Sequence, residues 1–287
     1  KSWKKKETKH GTGLHPQGGS VIIWLMWQTG RVTGTATVAA RRKKSLKQQV
    51  MGMVLSATTI GEYDKRVVLL TKEWGRISAF ARGARRPKSP LSASTEPFTF
   101  GEFYVYKGRD SYSIEQVEVK QFFPKLRQDL DALYMGLYFC EVADYFTREG
   151  MNAKEELNLL YVSLHALTRK EIPHELVRRI YEFRMLYIEG VAPRIYQCVD
   201  CGGEEDLVFF SVKDAGVRCS RCGGGRGDML ISGTTLYTLQ RILSSRLETL
   251  YSFTVGEKVQ KELSRVVGRY LEANTDRKFK SLGMLDF

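Results

Sequence analysis

The sequence predicts an α+β multidomain protein: a small closed β-sheet comes first, and a helical domain interrupted by a metal-binding ribbon follows. Three observations support this prediction. Short strand-like runs fill residues 51–120, apolar residues recur at helical spacing after Pro124, and two C-x₂-C pairs stand between the helical segments. With 287 residues, 43% of them hydrophobic, the chain is long enough for two or three domains and a sizeable core.

The first fifty residues differ in composition from the rest. Residues 1–50 hold 11 Lys or Arg and one acidic residue, and they show no helical or strand period. A basic start with a short apolar run can indicate a secretory signal or a nucleic-acid-binding arm. We instead expect residues 1–50 to be a disordered or non-native N-terminal extension, because globular patterning begins abruptly at Met51 or Met53.

The net charge of +13 mostly reports this segment. Residues 51–287 carry a net charge of only +3, in which a net +5 over residues 51–109 is offset by a net −2 over residues 110–287. A charge-driven interaction with nucleic acid is therefore expected in the β domain rather than in the helices.

The β domain is expected over residues 51–122. Its five runs are rich in Val, Ile, Tyr and Phe, and Gly and Pro turn signals separate them. The runs are Met53–Ser56, Val67–Thr71, Ile77–Ala81, Phe100–Tyr106 and Tyr112–Val119. Five short strands in about seventy residues predict a small barrel of the OB type.

The helical domain is expected over residues 123–287. Five amphipathic segments are predicted at about 130–149, 153–168, 174–188, 232–243 and 256–273. Asp129 and Asp131 flank the start of the first segment and complement its dipole, and Ser232 is a predicted N-cap. A ribbon interrupts the helices at about 196–227.

Four of the five cysteines have the spacing of a metal site. Cys198 and Cys201 form one pair, Cys219 and Cys222 the other, and seventeen residues separate the inner two. Two residues between cysteines let both thiolates reach one tetrahedral metal, so we expect one structural Zn²⁺ per chain on a two-stranded ribbon. Disulfides are the alternative, but five cysteines in so long a chain do not make a disulfide scaffold. Cys140 lies in an apolar helix as a small hydrophobe.

The role of the ribbon has two interpretations. It is either a DNA-contacting finger or a structural staple, by which we mean a metal site that orders the long segment between two helices. We favour the structural staple. The finger interpretation depends on cations around the ribbon, namely Lys213, Arg218, Arg221 and Arg226.

A second group of cations lies between two predicted strands. Within the segment 81–93 four cations fall in seven residues, and Gly83 with two prolines excludes helix and strand. On an OB fold such a loop can follow a phosphate backbone, and outward aromatic side chains can stack on bases, although most aromatics of a small barrel face its core. With neighbouring cations at strand starts and turns, the predicted nucleic-acid-binding residues are Lys65, Arg66, Arg82, Arg85, Arg86, Lys88 and Arg109.

An enzyme is not expected. Four thiolates close the metal's coordination sphere, so no position is left for a catalytic water. His165 and His174 lie on helices, where a packed or surface histidine is the simpler interpretation, and no phosphate-binding glycine loop is present.

Several of these segments together resemble the bacterial recombination-mediator protein RecO family. The resemblance covers about residues 51–287. The matching motifs are Gly61-Glu-Tyr-Asp-Lys65, Leu70-Thr-Lys-Glu-Trp-Gly-Arg76, Ala81-Arg-Gly-Ala-Arg-Arg-Pro-Lys-Ser89, Pro97-Phe-Thr-Phe-Gly-Glu102, Phe209-Phe-Ser-Val-Lys-Asp-Ala-Gly216 with the four cysteines, and the basic tail Asp276-Arg-Lys-Phe-Lys-Ser281.

The resemblance implies an OB fold, a helical domain and an inserted zinc ribbon. It also implies a cytoplasmic, nucleoid-associated protein that is not an enzyme and needs no membrane. Such proteins bind single- and double-stranded DNA and anneal complementary strands. With RecR they help RecA to replace single-strand-binding protein. The positions that match the family's basic surface are Lys65, Arg82, Arg85, Arg86 and Lys88.

The resemblance further implies a groove for the acidic, Phe-ended tail of single-strand-binding protein in the helical domain. The sequence does not choose among the arginines that would hold its carboxylates, which are Arg127, Arg178, Arg179 and Arg184. The alternative function is a zinc-ribbon, OB-fold factor that binds RNA or assists transcription.

Overall fold

A computed structural model of the chain describes residues 47–108 and 111–284. Residues 1–46, which make up most of the predicted N-terminal extension, lie outside the described residues. Arg109, a predicted nucleic-acid ligand, lies outside them as well. The described residues belong to one compact unit, Ser45–Phe287. Within them no helix has the length and apolar character needed to cross a membrane.

The first strand begins earlier than expected. β1 starts at Lys47, four residues before the predicted boundary at Met51. Val50 is buried and lies opposite Phe103 on the neighbouring strand β4 (Phe100–Lys107). The sequence pattern missed these residues because Lys47, Gln48 and Gln49 resemble the polar segment before them, although the ladder to β4 continues through all three.

The five predicted strands are present and close into a barrel. They are β1 (Lys47–Ile60), β2 (Asp64–Thr71), β3 (Gly75–Ala81), β4 (Phe100–Lys107) and β5 (Tyr112–Gln121). Their order is β1-β2-β3-β5-β4, and β3 pairs with β5 in parallel whereas the other pairs are antiparallel. Alternate residues point inward, so that Ile77, Ala79 and Ala81 are buried between half-buried neighbours.

A short helix, α1 (Leu91–Ser94), lies between β3 and β4 and was not predicted. Its four residues make a single turn, too short for a periodic signal. Leu91 is buried in the barrel's core cluster and anchors the turn. The helix therefore closes the segment that carries the clustered cations.

The helical domain contains the five predicted helices: α2 (Leu130–Phe146), α3 (Lys154–Leu167), α4 (His174–Ile188), α5 (Gly233–Ser244) and α6 (Glu257–Ala273). Single turns of 3₁₀ helix lie at Pro124–Gln128 and Lys280–Met284. The two predicted start signals are confirmed, because the side chain of Asp129 accepts from the backbone N–H of Ala132 and that of Ser232 accepts from Thr235.

The ribbon has three strands rather than two. They are β6 (Leu207–Ser211), β7 (Gly216–Cys219) and β8 (Met229–Leu230), in the order β7-β6-β8. β8 has two residues, too few for a strand pattern. Phe210 on β6 is buried and meets the ring of Tyr270 on α6 edge-on, with centroids 5.6 Å apart, so the ribbon shares the core of the helices.

The barrel is joined to the helices by backbone hydrogen bonds at the β2–β3 turn. The N–H of Arg76 donates to the carbonyl oxygen of Arg148 (3.2 Å), and the N–H of Gly150 donates to that of Trp74 (2.9 Å). Leu70, which precedes the turn on β2, packs in the same hydrophobic core as the buried residues of the helices. The two domains therefore pack as one body.

We predict that Gly75→Ala weakens this joint. A Cβ at Gly75 would overlap the carbonyl oxygen of Arg148 and lie 2.7 Å from Cγ of Met151, with φ at +64°. The unfolding free energy, measured by urea denaturation, should fall by about 2–4 kcal/mol from the combined strain and overlap. The control is Gly61→Ala, where φ is +57° and nothing lies within 4 Å. That variant should lose only about 1 kcal/mol, and equal losses would show that the close approach is unimportant.

Candidate nucleic-acid interface and metal centre

The clustered cations lie in a segment that we call the basic loop, residues 82–90, between β3 and α1. The loop begins with a tight turn at Gly83, whose φ of +65° suits glycine and whose carbonyl accepts from the N–H of Arg86 (3.0 Å). Ala84 is fully buried against the barrel. The loop is thus held to the barrel surface by its own backbone and by one small apolar side chain.

The basic loop is bonded to the β1–β2 turn, residues 61–63. Oδ1 of Asp64 accepts from the N–H of Gly83 at 2.7 Å, and the N–H of Arg85 donates to the carbonyl of Tyr63 at 2.9 Å. Because OB folds bind oligonucleotides through the face of strands 2 and 3 and the β1–β2 loop, this contact places the cations beside the expected binding face.

All four loop cations are exposed, but they differ in their partners. Arg85 donates from Nη1 to the carbonyls of Glu62 (3.0 Å) and Gly61 (3.4 Å), and Arg86 lies over the ring of Tyr63 at 5.5 Å. Within the described part of the chain, Arg82 and Lys88 make no hydrogen bond or ion pair. Two cations are therefore available to an external anion, and two also hold the neighbouring turn.

Lys65 is placed differently from the loop cations. Its Nζ donates to Oε1 of Glu96 (2.6 Å), to the carbonyl of Ser92 (3.1 Å) and to Oγ1 of Thr95 (3.4 Å), and its side chain is only 12% exposed. Its ammonium group is occupied inside the protein and does not face solvent as a free phosphate ligand would.

Arg66, the next residue on β2, points to the outer face of the barrel and is exposed. Its Nε donates to Oγ of Ser78 on β3 at 2.8 Å. This contact leaves the rest of its guanidinium group at the surface of strands 2 and 3.

Among the aromatic residues near the basic loop, Tyr63 is exposed. It is 41% exposed at the tip of the β1–β2 turn, next to Ile60 at 38%. Phe98 is buried, and Phe100 packs on Tyr161 of α3 with centroids 4.8 Å apart. Phe98 and Phe100 therefore serve the core, as expected for most aromatic residues of a small barrel, whereas the ring of Tyr63 is open to solvent.

The outer face of β1, β4 and β5 has the opposite character. Glu102, Glu115 and Glu118 project from β4 and β5. Lys120 and Lys47 form ion pairs with Glu102 and Glu115 respectively, both at 3.4 Å. Positive charge without a carboxylate partner is thus concentrated on the side of the basic loop.

The four predicted metal ligands come together in space. The Sγ atoms of Cys198, Cys201, Cys219 and Cys222 all lie within 4.8 Å of one another, and those of Cys201 and Cys219 are 3.8 Å apart. A tetrahedral metal with metal–sulfur bonds of about 2.3 Å requires sulfur–sulfur distances of about 3.8 Å. The quartet therefore has the spacing of a closed four-thiolate site.

The backbone of the ribbon favours a thiolate at Cys198, whereas the neighbouring sulfurs of Cys219 and Cys201 raise the pKa of Cys222 to about 12. Burial by itself raises the pKa of Cys198, but N–H groups of Cys201 and Cys219 point at its sulfur and lower the pKa to about 6. Each cysteine pair is turned by backbone bonds, such as the N–H of Cys198 to the carbonyl of Gly203 at 2.7 Å. A metal would complete this arrangement by removing the repulsion among four like charges.

The ribbon's central cation is neutralised by carboxylates. Arg218 forms ion pairs with Asp200 (2.8 Å), Asp214 (2.9 Å) and Asp228 (3.2 Å). The carboxylate of Asp228 also accepts from the N–H of Gly224 at 3.0 Å. Arg218 thus braces the ribbon, which favours the staple over the finger, while Lys213, Arg221 and Arg226 remain exposed.

A cavity of about 900 Å³ lies between α4, α6 and residues 275–283, and we call it the C-terminal groove. At its floor the fully buried carboxylate of Glu182 accepts from Arg179 Nη1 (2.7 Å), Arg178 Nε (2.9 Å) and the hydroxyl of Tyr138 (2.6 Å). Its rim carries exposed cations, which are Arg265, Arg269, Arg277, Lys278 and Lys280.

Two of the four arginines proposed for an acidic tail lie elsewhere. Arg127 donates to the carbonyl of Pro97 at 2.8 Å, beside the barrel, and Arg184 donates to the carbonyl of Ile242 at 3.1 Å, at the end of α5. Only Arg178 and Arg179 line the C-terminal groove. The sequence did not single out the rim cations as a group, because they belong to an amphipathic helix and a tail whose charges look like an ordinary solvated face.

His165 has structural surroundings. His165 packs between Phe123 and Tyr161, with ring centroids 4.7 and 4.8 Å away. Burial, and then the charge of Arg169, lowers its pKa to about 4. It is therefore a neutral packed side chain, as the apolar helix pattern predicted.

Comparisons with known proteins match almost all of the described chain. The family model "Recombination protein O N terminal" matches residues 46–123, and "Recombination protein O C terminal" matches residues 127–283. Among curated relatives, "DNA repair protein RecO" of Alkaliphilus metalliredigens is 33% identical over 80% of this chain and 95% of its own length. Those of Acetivibrio thermocellus and Symbiobacterium thermophilum are each 32% identical, over 82% and 83% of this chain and 94% and 96% of their own lengths.

We predict that Cys219→Ser abolishes metal binding and destabilises the helical domain. The loss of one buried ligand opens the tetrahedral site, and structural sites of this kind contribute several kcal/mol, so the melting temperature should fall by about 10 °C or more. Elemental analysis and circular dichroism measure the two effects. Cys140→Ala, a buried thiol outside the quartet, is the control and should retain the metal. A metal-free variant with the parent's melting temperature would contradict the staple role.

Proposed function

The chain belongs to the recombination protein O family, and we propose that it is a recombination mediator in DNA repair. In this proposal it binds single- and double-stranded DNA and anneals complementary strands. Together with RecR it helps to load RecA onto DNA coated by single-strand-binding protein. The observation that carries the proposal is the bonding of the basic loop to the β1–β2 turn, which gathers exposed cations and Tyr63 on one side of the barrel.

The physical basis of annealing is neutralisation of phosphate charge. Two DNA strands repel each other, and cations that bind phosphates lower this barrier by releasing counterions. A base stacked on an aromatic ring is held outward, where a complementary strand can pair with its neighbours. We assign phosphate binding to Arg82, Arg85, Arg86 and Lys88, and base stacking to Tyr63.

The other predicted DNA ligands have separate roles in this proposal. Arg66 extends the positive surface along strands 2 and 3, because its guanidinium group stays exposed. Lys65 is not assigned a phosphate, because its ammonium is bound to Glu96 and to two further oxygens. Arg109 stays a prediction from the sequence, at the hairpin between β4 and β5.

We assign a structural Zn²⁺, one per chain, to the cysteine quartet. Its four thiolates fit the tetrahedral preference of zinc and leave no open position for a substrate. The proposal therefore gives the ribbon a stabilising role and gives the chain no chemical reaction. We place its action in the bacterial cytoplasm, on the nucleoid, where its DNA substrate is found.

We assign the acidic, Phe-ended tail of single-strand-binding protein to the C-terminal groove. The five rim cations outnumber the two rim carboxylates, Glu272 and Asp276, and can meet the carboxylates of the tail, while the half-buried Leu282 lies beside the buried Phe279 and Leu271 at the apolar part of the groove. The floor is charge-balanced, because Arg178 and Arg179 pair with two carboxylates, those of Glu175 and Glu182, so the rim decides the affinity.

We predict that Arg82→Gln with Lys88→Gln weakens binding of single-stranded DNA by about tenfold at moderate salt. The slope of log K against log salt should shrink by about 1.4, since two phosphate contacts are lost. Fluorescence anisotropy with a labelled oligonucleotide measures both quantities, and strand annealing should slow in parallel. The matched control is Lys47→Gln with Lys120→Gln, which removes two cations from the other face of the barrel.

Two outcomes would count against the proposal. Equal loss in both double variants would mean that only net charge matters and not the basic loop. Annealing of RNA but not of DNA by the parent protein would favour the alternative, a zinc-ribbon, OB-fold factor that acts on RNA.

A second prediction concerns the C-terminal groove. Arg269→Gln with Lys278→Gln should lower the affinity for a synthetic acidic peptide ending in phenylalanine by about tenfold, because two exposed charge pairs are lost. DNA binding by the barrel should not change. Arg221→Gln with Arg246→Gln, exposed arginines outside the groove, is the control. Unaltered peptide binding in the groove variant would place the tail elsewhere.

A further inference from the structure

We propose that Asp64 and Lys65, adjacent residues at the start of β2, are positioning residues that hold the two ends of the basic loop in its DNA-binding shape. This inference rests on the proposed function of the loop. It explains why an acidic residue, Asp64, lies within a basic surface. It also makes Lys65 a positioning residue, although the sequence suggested it as a DNA ligand.

Asp64 holds the beginning of the loop. Its Oδ1 accepts from the N–H of Gly83 at 2.7 Å, at the residue where the backbone turns with φ at +65°. Two residues later, the N–H of Arg85 donates to the carbonyl of Tyr63, immediately before Asp64. The carboxylate therefore fixes the turn from which Arg82, Arg85 and Arg86 project.

Lys65 holds the end of the loop. Its Nζ bonds to the carbonyl of Ser92, to Thr95 and to Glu96, which are in α1 or just after it. These bonds tie the short helix that closes the loop to β2. Because α1 has a single turn, its own backbone bonds are too few to hold it in place.

Successive side chains of β2 thus bind opposite ends of one loop. A loop of nine residues that was free in solution would have to be ordered when DNA binds, at the expense of affinity. Clamped at both ends, the loop presents its cations already in position. An acidic residue beside DNA would otherwise weaken binding through repulsion, so its presence calls for a compensating role.

Electrostatics and positioning make opposite predictions for Asp64→Ala. Removal of a negative charge beside four cations should tighten DNA binding if charge alone decides the affinity. Loss of the bond to Gly83 should weaken binding if the shape of the loop decides it. Asp64→Asn separates the two effects, because its amide oxygen can still accept from Gly83 although the charge is gone.

The experiment compares these variants by fluorescence anisotropy with a labelled single-stranded oligonucleotide. We expect Asp64→Ala to bind about tenfold more weakly than the parent, and Asp64→Asn to bind at least as tightly as the parent. Glu62→Ala is the control: it removes an exposed acid two residues away, whose carboxylate bonds to the hydroxyl of Tyr63 and, among the described residues, makes no hydrogen bond to the basic loop. It should bind as tightly as the parent or more tightly.

Lys65 is tested by the dependence of affinity on salt. Lys65→Gln should weaken binding and leave the slope of log K against log salt at the parent's value, because no phosphate contact is lost. Arg82→Gln should reduce the slope by about 0.7, the value for one phosphate of a single strand. A reduced slope for Lys65→Gln would make Lys65 a phosphate ligand and overturn its positioning role.

The order of the loop is measured independently of DNA. Trypsin should cleave after Arg82 and Arg85 several times faster in Asp64→Ala and Lys65→Gln than in the parent, and at the parent's rate in Asp64→Asn and Glu62→Ala. Circular dichroism confirms that each variant is folded. Tighter DNA binding by Asp64→Ala, or cleavage at the parent's rate, would overturn the inference. If Arg82→Gln with Lys88→Gln still binds DNA normally, the proposed function of the loop fails, and the cleavage assay still tests the clamps.

Discussion

The pairing of the β2–β3 turn with residues 148–153 is the interaction on which the rest of the structure depends. Backbone N–H and C=O groups of the two segments form hydrogen bonds with each other. Gly75 permits the two backbones to come this close, because any side chain there would overlap the carbonyl of Arg148. Backbone bonds of this kind fix distance and angle together. The barrel is therefore held on the helices at the end of the strand that also carries Asp64 and Lys65.

Strand β2 links three parts of the molecule. Its first residues hold the basic loop, Leu70 enters the core of the helical domain, and the turn after Thr71 reaches residues 148–153. The surface proposed to bind DNA is consequently anchored to a strand that is itself anchored in the helical core. This continuity explains how a loop rich in glycine, proline and charge can keep one shape.

The charged residues described in this chain fall into two groups. Some form ion pairs that stabilise the fold, and others are exposed cations that can bind an external anion. Arg218 is surrounded by three aspartates, Arg178 and Arg179 share Glu182, and Lys65 is held by Glu96. Removing Arg178 or Arg179 leaves the fully buried carboxylate of Glu182 without one of its partners, which costs more stability than the pair contributes. The exposed cations Arg82, Lys88 and Arg269 have no such constraint and are the ones that an anionic partner can use.

The sequence by itself determined the order of domains, the five barrel strands, the five helices and the metal quartet. Each of these depends on a local pattern: alternation of apolar residues, helical spacing, a capping side chain such as Ser232, or two residues between cysteines. The tertiary structure decided which cations are free. Lys65 and Arg82 look alike in sequence, but only contacts between residues far apart in the chain place one against Glu96 and leave the other exposed. The same holds for β8 and for the first residues of β1, whose pairing depends on partner strands distant in sequence rather than on their own composition.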